Sequence, residues 1–268
     1  MALPPPGDDR AAIVTGASSG IGEHFAGILS RRGYRVVLVA RSADRLEELA
    51  ARLGPRAHPL PADLSDRTAR AGLPDRVAAL GLVPDILINN AGLSTLGLVA
   101  KSVPEQELNL VEVDVAAVVD LCSRFLPGMV ERHRGAVLNV ASIAAFGPLP
   151  GQAAYGAAKA FVLSYTHSLR GELRGTGVNA TALCPGPVDT GFGEAAGFSK
   201  EEAESALPRV MWIAPDKVAQ AGIDGLAAGK AVVVPGHVNR VASALFRVAP
   251  PGLLLPVLSR GHPAMKRE

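Results

Sequence analysis

Seven short apolar runs, separated by longer segments of helical period, constrain the fold of this chain more than any other feature. The runs are rich in Val, Ile and Leu, and apolar residues do not alternate with polar ones. Such runs are typical of strands that are covered on both faces, as in a parallel sheet. Alternation of strands with helices therefore predicts an α/β fold, a doubly wound (Rossmann-type) parallel sheet of about seven strands with helices on both faces. The predicted strands are Ala11–Thr15, Arg35–Ala40, Ala57–Pro61, Asp85–Asn89, Ala136–Ala141, Val178–Leu183 and Ala231–Pro235.

The segments between these runs predict the helices of the fold. Gly33 and Gly54 lie just past the ends of two of them, where helices commonly stop at glycine. The predicted helices are Ile21–Arg32, Ala43–Leu53, Arg67–Leu80, Pro104–Arg132, Gln152–Arg174 and Pro215–Ala228.

Two regions interrupt this alternation. Thr190–Leu207 is rich in Gly, Glu, Ala and Ser after a Pro-Gly-Pro turn, and it predicts a mobile helical flap. Val238–Glu268 mixes leucines with prolines that include Pro250, Pro251 and Pro256, so we expect a packed C-terminal extension that is not one continuous helix. Because neither a repeat nor a long linker is visible, residues 1–268 predict a single domain.

Charge and composition argue against several classes of function. The chain has 27 Lys and Arg against 25 Asp and Glu and lacks a basic run, which argues against a dedicated nucleic-acid binder. Its six His and two Cys are scattered, so we expect no metal site. No apolar run approaches the roughly 18 residues of a membrane span, and the N-terminus lacks the features of a signal peptide. We therefore expect a soluble, cytoplasmic protein.

A glycine-rich turn follows the first predicted strand and precedes a helix. Its glycines allow a tight turn and a close approach of phosphate oxygens, and the helix N-terminus adds unpaired N–H groups. The turn therefore predicts a dinucleotide site in which the candidate binding residues are Gly16, Ser18, Ser19, Gly20, Ile21 and Gly22.

The same turn also matches the G-x-S-x-G pattern of serine hydrolases, as Gly16-Ala17-Ser18-Ser19-Gly20. A nucleophilic serine in that pattern needs an acid and then a histidine later in the chain. The late histidines are His237 and His262, and neither has an obvious loop setting with an acid upstream. The dinucleotide interpretation is therefore favoured over the hydrolase one.

The end of the second strand bears on the choice of dinucleotide. An NAD site carries an Asp or Glu about 20 residues past the glycines, where it binds the ribose 2′-hydroxyl. This chain has Ala40 and Arg41 in that stretch, and an arginine suits a 2′-phosphate. NADP(H) is the predicted cofactor.

Tyr155 and Lys159 lie four residues apart on a predicted helix and therefore share one face. A phenol with a pKa near 10 is a poor base at neutral pH, and an adjacent cation lowers that pKa. Ser142 follows a strand end, where its hydroxyl could bond a substrate oxygen. The hypothesis is that Tyr155 transfers a proton to or from that oxygen, Ser142 orients it, and Lys159 assists Tyr155 and binds the nicotinamide ribose.

These motifs, in this order and spacing, resemble the single-domain branch of the short-chain dehydrogenase/reductase family from Ala11 to Gly236. The resemblance implies that Asp63 and Leu64 contact adenine, and that Asn90, Ala91 and Gly92 lie under the adenosine ribose. It also implies that Tyr155 and Lys159 contact the cofactor. The residues that would hold its nicotinamide end are Pro185, Gly186, Val188 and Thr190.

Asp114 departs from the family pattern, because that position usually carries an Asn that helps to hold a water near the lysine. An ionised carboxylate only accepts hydrogen bonds, so Asp114 cannot copy the donor bonds of Asn. It is nevertheless retained as a candidate catalytic residue, and the Asp114→Asn change is expected to leave activity similar or to raise it.

Three functions remain open at this stage. The first is a reductase or alcohol dehydrogenase for a medium or bulky apolar substrate, since Phe192, Phe198, Met211 and Trp212 could line an apolar pocket. The second is an idle NADP(H)-binding protein, against which the set of Ser142, Tyr155 and Lys159 argues. The third is a peripheral membrane protein that acts on lipid-like substrates, suggested by the apolar run Leu253–Leu258, although a packed tail or a subunit contact is the favoured explanation of that short, proline-broken run. The resemblance further implies a homodimer or homotetramer paired through Pro104–Arg132 and Gln152–Arg174.

Overall fold

A seven-stranded parallel sheet forms the centre of the molecule in a computed structural model that describes residues 3–197 and 207–261. The strand order is β3-β2-β1-β4-β5-β6-β7, so the chain turns back across the sheet between β3 and β4. This is the doubly wound arrangement that the apolar runs predict, and the predicted fold class is confirmed. The strands are β1 Arg10–Thr15, β2 Arg35–Ala40, β3 Ala57–Pro61, β4 Val83–Asn89, β5 Gly135–Val140, β6 Val178–Leu183 and β7 Val232–Val233.

Helices cover both faces of the sheet. The helices of the described residues are α1 Gly20–Arg31, α2 Ala43–Leu53, α3 Arg67–Ala71, α4 Leu73–Ala78, α5 Pro104–Val111, α6 Ala117–Glu131, α7 Ala153–Glu172, α8 Phe192–Ala195, α9 Pro215–Ala227, α10 His237–Val248 and α11 Pro251–Gly261. Short 3-10 turns at Val99–Lys101, Ile143–Phe146 and Arg209–Met211 complete the connections.

Two predicted helices and one predicted strand differ from the observed ones. The helix expected over Arg67–Leu80 divides at Gly72, because Pro74 in the first turn of α4 has no N–H to continue the hydrogen bonds of α3. The segment expected as one helix over Pro104–Arg132 stays helical but widens to a π-helical turn at Glu112–Ala116. The last strand is shorter than predicted, because only Val232 and Val233 pair with β6.

The core consists of two apolar layers, one on each face of the sheet. Leu87 and Val137 point into the layer beneath α6 and α7, whereas Ile86 and Leu138 point into the layer beneath α1 and α9. Successive residues of a strand face opposite sides, so a strand buried on both sides is apolar at most of its positions.

A chain of buried side-chain hydrogen bonds crosses from the sheet into α7. Asn89 on β4 donates to the Asn139 amide oxygen on β5 at 2.8 Å, and the Asn139 amide donates to the Thr166 hydroxyl on α7 at 2.9 Å. The Thr166 hydroxyl donates in turn to the carbonyl of Val162 at 2.6 Å. These bonds fix the rotation of α7, the helix that carries Tyr155, relative to the strand ends.

The C-terminal region forms two helices rather than one. The chain leaves helical geometry between Val248 and Pro251, as the prolines predict, but Pro256 lies inside α11. Part of the predicted flap, including Phe198, and the last seven residues of the chain lie outside the described residues. Within the described part of the chain, no helix is long and apolar enough to cross a membrane.

We predict that Thr166→Val lowers the free energy of unfolding by about 1–3 kcal/mol, because the buried Asn139 amide loses its acceptor. Urea unfolding followed by circular dichroism measures the change. Thr68→Val makes the same replacement at an exposed position of α3 and should change stability by less than about 0.5 kcal/mol. Equal stability of the two variants would contradict the prediction.

Candidate active site

A cavity of about 980 Å³ opens at the carboxyl ends of the strands. In open α/β sheets this edge is where ligands bind, next to the point at which the strand order reverses. The cavity brings together nearly every site residue that the sequence predicts, although they are spread over most of the chain. Those that line it are Gly16, Ser18, Ser19, Gly20, Ile21, Arg41, Asp63, Leu64, Asn90, Ala91, Gly92, Ser142, Tyr155, Lys159, Pro185, Gly186, Val188 and Thr190.

The glycines of the turn are needed for two reasons, the left-handed backbone conformation and the close approach of neighbouring atoms. Gly16 and Gly20 have φ angles of 63° and 57°, in the left-handed region that glycine tolerates best. A Cβ on Gly20 would lie 3.0 Å from Thr190, so the turn closely approaches the loop after β6. Gly22 is predicted as a binding residue but does not line the cavity. A Cβ there would lie 2.1 Å from the Gly16 carbonyl oxygen, so the absence of a side chain at Gly22 lets α1 pack closely against the turn.

Hydrogen bonds from Thr15 and Asn90 hold the turn against the end of β4. The Thr15 hydroxyl donates to the Ile88 carbonyl at 3.2 Å and accepts from the backbone N–H groups of Asn90 and Ala91 at 2.9 and 3.0 Å. The Asn90 amide donates to the Thr15 and Gly16 carbonyls at 2.9 and 3.3 Å. Asn90 is therefore a structural clamp on the turn as well as part of the cavity wall.

The end of the cavity near β2 and β3 is basic. Arg41 is exposed at the end of β2, and Arg45 projects into the same cavity from the first turn of α2. The sequence motifs did not single out Arg45, which lies four residues after Arg41. Hydrogen bonds from Ser65 lower the pKa of Asp63, and the charge of Arg41 adds to this effect.

Ser142, Tyr155 and Lys159 meet in the middle of the cavity. The Lys159 ammonium lies 5.6 Å from the centre of the Tyr155 ring and is almost completely buried. Ser142 ends the stretch after β5, and its hydroxyl accepts a hydrogen bond from the N–H of Ala144 at 3.1 Å. The Phe192 ring of the predicted flap lies 6.0 Å from the Tyr155 ring, centre to centre.

Asp114 lies behind this group, outside the cavity wall, and forms an ion pair with Lys159. Its Oδ2 is 2.9 Å from Lys159 Nζ, and its Oδ1 accepts the Leu93 N–H at 2.6 Å. Lys159 also donates to the Val140 carbonyl at 3.3 Å. A Cβ on Gly92 would lie 3.1 Å from Lys159 Nζ and 3.2 Å from Asp114 Oδ2, so this glycine leaves room for the pair. The π-helical turn at Glu112–Ala116 carries the fully buried Asp114.

These groups shift one another's pKa. Burial raises the pKa of Tyr155, while Lys159 and a hydrogen bond with Ser142 oppose the rise and Asp114 adds to it. Burial alone would lower the pKa of Lys159, but the charges of Asp114 and Tyr155 outweigh burial and raise it. Burial raises the pKa of Asp114, and Lys159 opposes that shift. The net result is a cation held beside a phenol that keeps its proton at neutral pH.

The opposite end of the cavity is apolar and includes residues that the motifs did not reveal. Phe192, Met211 and Trp212 line it, as predicted for an apolar pocket. Ala242 and Phe246 of α10 and Leu258 of α11 also line it, and no motif indicated that the tail would reach the site. The tail composition alone could not reveal these contacts, because they depend on how two helices fold back over the loops after β5 and β6.

The cavity fits an extended dinucleotide better than a metal ion. The turn of Gly16–Gly22 leaves backbone N–H groups at the N-terminus of α1, where phosphates bind favourably, and basic side chains lie at the β2 end. Among the described residues, no group of three or more His, Cys, Asp or Glu side chains is arranged to hold a metal.

Comparison with protein families matches residues 10–200 to the family described as short chain dehydrogenase. Among curated proteins, the chain is similar to serine 3-dehydrogenase of Rhizobium radiobacter. The two are 34% identical over 213 residues, which cover 77% of this chain and 84% of the relative.

Two solved structures share the fold over nearly the whole chain. A short-chain dehydrogenase from Sphingobium yanoikuyae in complex with NADPH has a TM-score of 0.79 and 32% identity, covering 93% of this chain and 95% of its own. The bulky-bulky ketone specific alcohol dehydrogenase from Comamonas testosteroni has a TM-score of 0.75 and 27% identity, covering 100% of this chain and 99% of its own.

Proposed function

Because the chain belongs to the short-chain dehydrogenase/reductase family of oxidoreductases, we propose that it is an NADP(H)-dependent reductase of bulky apolar ketones. The observation that carries this proposal is the grouping of Ser142, Tyr155 and Lys159 in one cavity, between a basic end and an apolar end. The basic end would take the cofactor phosphates, the three residues would contact the reacting oxygen, and the apolar end would take the body of the substrate.

Residues along the cavity would hold the cofactor in an extended form. The N–H groups at the start of α1 would bind its pyrophosphate, and the loop of Pro185–Thr190 would hold the nicotinamide end. Arg41 and Arg45 would bind the 2′-phosphate, since both reach the end of the cavity where an NAD site would carry an acid. When bound, the nicotinamide supplies or accepts the hydride.

The protein's own part in the chemistry is to position the substrate oxygen and to supply a proton. The Ser142 hydroxyl would donate to the substrate oxygen, which leaves the Tyr155 hydroxyl to transfer its proton there. The positive charge of Lys159 stabilises the phenolate that remains after transfer, and this charge lies beside the ring already before reaction.

Asp114 favours the reducing direction. Its carboxylate offsets the charge of Lys159 and adds to the burial that raises the pKa of Tyr155. A protonated phenol is the form needed to reduce a carbonyl, whereas alcohol oxidation needs the phenolate. Asp114 is a positioning residue in this scheme, because it acts through Lys159 and lies outside the cavity wall.

The apolar end of the cavity supports a substrate with a large hydrophobic body. Met211, Trp212, Phe246 and Leu258 line this end, and Phe192 lies beside Tyr155. Burying such side chains against a substrate is favourable by about 25 cal/mol per Å² of apolar surface, and few polar groups are present there to satisfy a polar substrate.

Pairing of two chains through α5, α6 and α7 stays a prediction. The exposed apolar side chains of Leu108 on α5 and Phe161 on α7 support it.

We predict that Tyr155→Phe lowers kcat by about 10²–10⁴-fold, the usual contribution of general acid catalysis, while NADPH still binds. A panel of ketones followed by nicotinamide absorbance measures turnover, and NADPH fluorescence measures binding. Tyr165→Phe, on the same helix but outside the cavity, should turn over substrate like the unaltered chain. Undiminished turnover in Tyr155→Phe would refute the assignment, and no turnover by the unaltered chain with any ketone would favour an idle dinucleotide-binding protein.

We predict that Arg41→Ala and Arg45→Ala each raise the KM for NADPH about 10–100-fold and leave the KM for NADH nearly unchanged, because each removes a charge-assisted bond to the 2′-phosphate. Steady-state kinetics with both cofactors measure the effect. Arg52→Ala is the control. Arg52 lies on α2 with Arg45, but it does not line the cavity and forms an ion pair with Glu23 at 2.8 Å. Equal losses with NADPH and NADH would show that the arginines do not read the 2′-phosphate.

We predict that Asp114→Asn moves the pH dependence of alcohol oxidation to lower pH. Without the carboxylate, the charge of Lys159 is no longer offset, so the pKa of Tyr155 falls and the phenolate forms at lower pH. Oxidation by NADP⁺ at neutral pH should therefore be similar or faster. The measurement is kcat against pH in both directions, with Asp120→Asn on α6 as a control that removes an acid paired with Arg70 and Arg124 instead. An unchanged profile, or a large loss of activity, would overturn this role for Asp114.

A further inference from the structure

The outer face of α10 is apolar, whereas its inner face buries polar side chains next to the apolar Ala242 and Phe246. Val238, Val241, Leu245 and Val248 follow one another at helical spacing and are 40%, 62%, 61% and 79% exposed. The face turned towards the protein instead buries Asn239 and Ser243. Helices of soluble proteins normally place their apolar stripe inward, so this outward stripe indicates a surface that binds a membrane or another protein.

The next helix also carries exposed apolar side chains. Leu253 and Leu255 of α11 are 70% and 40% exposed, while its Leu254 packs near Gly147 of the loop after β5. We call the six exposed side chains of the two helices the tail face: Val238, Val241, Leu245, Val248, Leu253 and Leu255.

Positive charge is concentrated in the same part of the chain. Residues 225–268 contain six of the 27 Lys and Arg residues but only one of the 25 Asp and Glu residues, so this segment has a formal charge of +5 and the preceding 224 residues have −3. Arg240 and Arg247 lie seven residues apart on α10, beside the tail face, and both are exposed. Arg247 also lies over the Phe146 ring at 4.4 Å. An apolar helix face bordered by arginines is the pattern of helices that lie in the interface of an anionic bilayer.

The helices of the tail face also form part of the cavity wall. Ala242 and Phe246 lie on the inner side of α10, Leu258 lies on α11, and all three line the apolar end of the cavity. The same two helices therefore carry the tail face and part of the apolar wall of the cavity.

We propose that α10 and α11 dock on the surface of an anionic lipid bilayer and that the substrate is an apolar ketone taken from that bilayer. The substrate part rests on the proposed function, whereas the docking part does not. A bilayer is favoured over nucleic acid, because the exposed surface between the arginines is apolar. It is favoured over a second copy of the chain, because a symmetric contact of residues 225–268 would bring together two segments of formal charge +5, each with a single acidic residue, Glu268.

Flotation of the full chain with lipid vesicles tests the docking. The chain should float with vesicles of phosphatidylglycerol and phosphatidylcholine and remain behind with phosphatidylcholine alone, and high salt should release it. Leu245→Glu should reduce binding about tenfold or more, because it places a carboxylate in the tail face. Leu80→Glu makes the same change at a 40%-exposed leucine near the opposite edge of the sheet, and it should bind like the unaltered chain.

The outcomes separate the alternatives. No flotation with anionic vesicles at low salt, or equal binding of Leu245→Glu and the unaltered chain, overturns the proposal. A shift of Leu245→Glu to a smaller particle in size-exclusion chromatography, without vesicle binding by either form, means that a second copy covers the tail face and also overturns it. Repeating flotation with Tyr155→Phe keeps docking independent of catalysis, since that variant should bind vesicles fully.

Turnover of one ketone in two settings tests the substrate part. NADPH oxidation should be faster with a long-chain ketone carried in anionic vesicles than with the same ketone in neutral detergent micelles, and Leu245→Glu should lose this advantage. With a short water-soluble ketone the two forms should be equally active. Equal rates in vesicles and micelles refute delivery from the bilayer but leave the proposed function intact, whereas no turnover of any ketone by a chain that binds vesicles refutes the proposed function alone.

Discussion

Every strand of the sheet points the same way, and this single constraint determines where the rest of the molecule can act. Parallel strands need long crossovers, so the loops that leave the carboxyl ends of β1, β2, β4, β5 and β6 all open on one edge. The chain turns back between β3 and β4, which leaves the ends of β1 and β4 side by side with a crevice above them. Thr15 and Asn90 close the base of that crevice by bonding to each other's backbone. The cavity is thus a product of topology first and of side-chain chemistry second.

The buried pair of Lys159 and Asp114 is costly in terms of stability alone. Removing two charges from water costs several kcal/mol for each ion, and the attraction between them offsets this only when the geometry is good and the remaining bonds are satisfied. The Leu93 N–H and the Val140 carbonyl supply two of those bonds, and Gly92 supplies the space. An apolar pair of similar volume would serve the fold as well or better. The proposed role of the cation beside Tyr155 in the chemistry would explain why this charge is kept at such a cost.

Much of this architecture could be predicted from the sequence, and what escaped prediction has a physical cause. Strands buried on both faces are apolar at most positions, so β1 and β2 can be recognised from composition alone. The contact between Asp114 and Lys159 is different in kind. The two residues are 45 positions apart, and their meeting depends on a π-helical turn that has no signature in Glu112–Ala116. Arg45 escaped for a simpler reason, because one arginine on an exposed helix face looks like any other until the cavity is seen beside it.

The tail illustrates how hydrophobic patterning can be clear and still mislead. Val238, Val241, Leu245 and Val248 form a regular apolar stripe, which for most helices would predict the buried face. In this chain Asn239 is on the buried side instead, where its amide donates to the carbonyls of Met211 and Pro235 and packs on Gly186. Those polar contacts are specific, because a side chain on Gly186 would collide with Asn239 at 2.3 Å. Hydrogen bonds of Asn239 therefore help to hold the orientation of α10, together with the packing of Phe246 against the core. The fold thus fixes the inner side of α10 without using its most regular apolar stripe, and for this reason the stripe in the sequence does not mark the buried face.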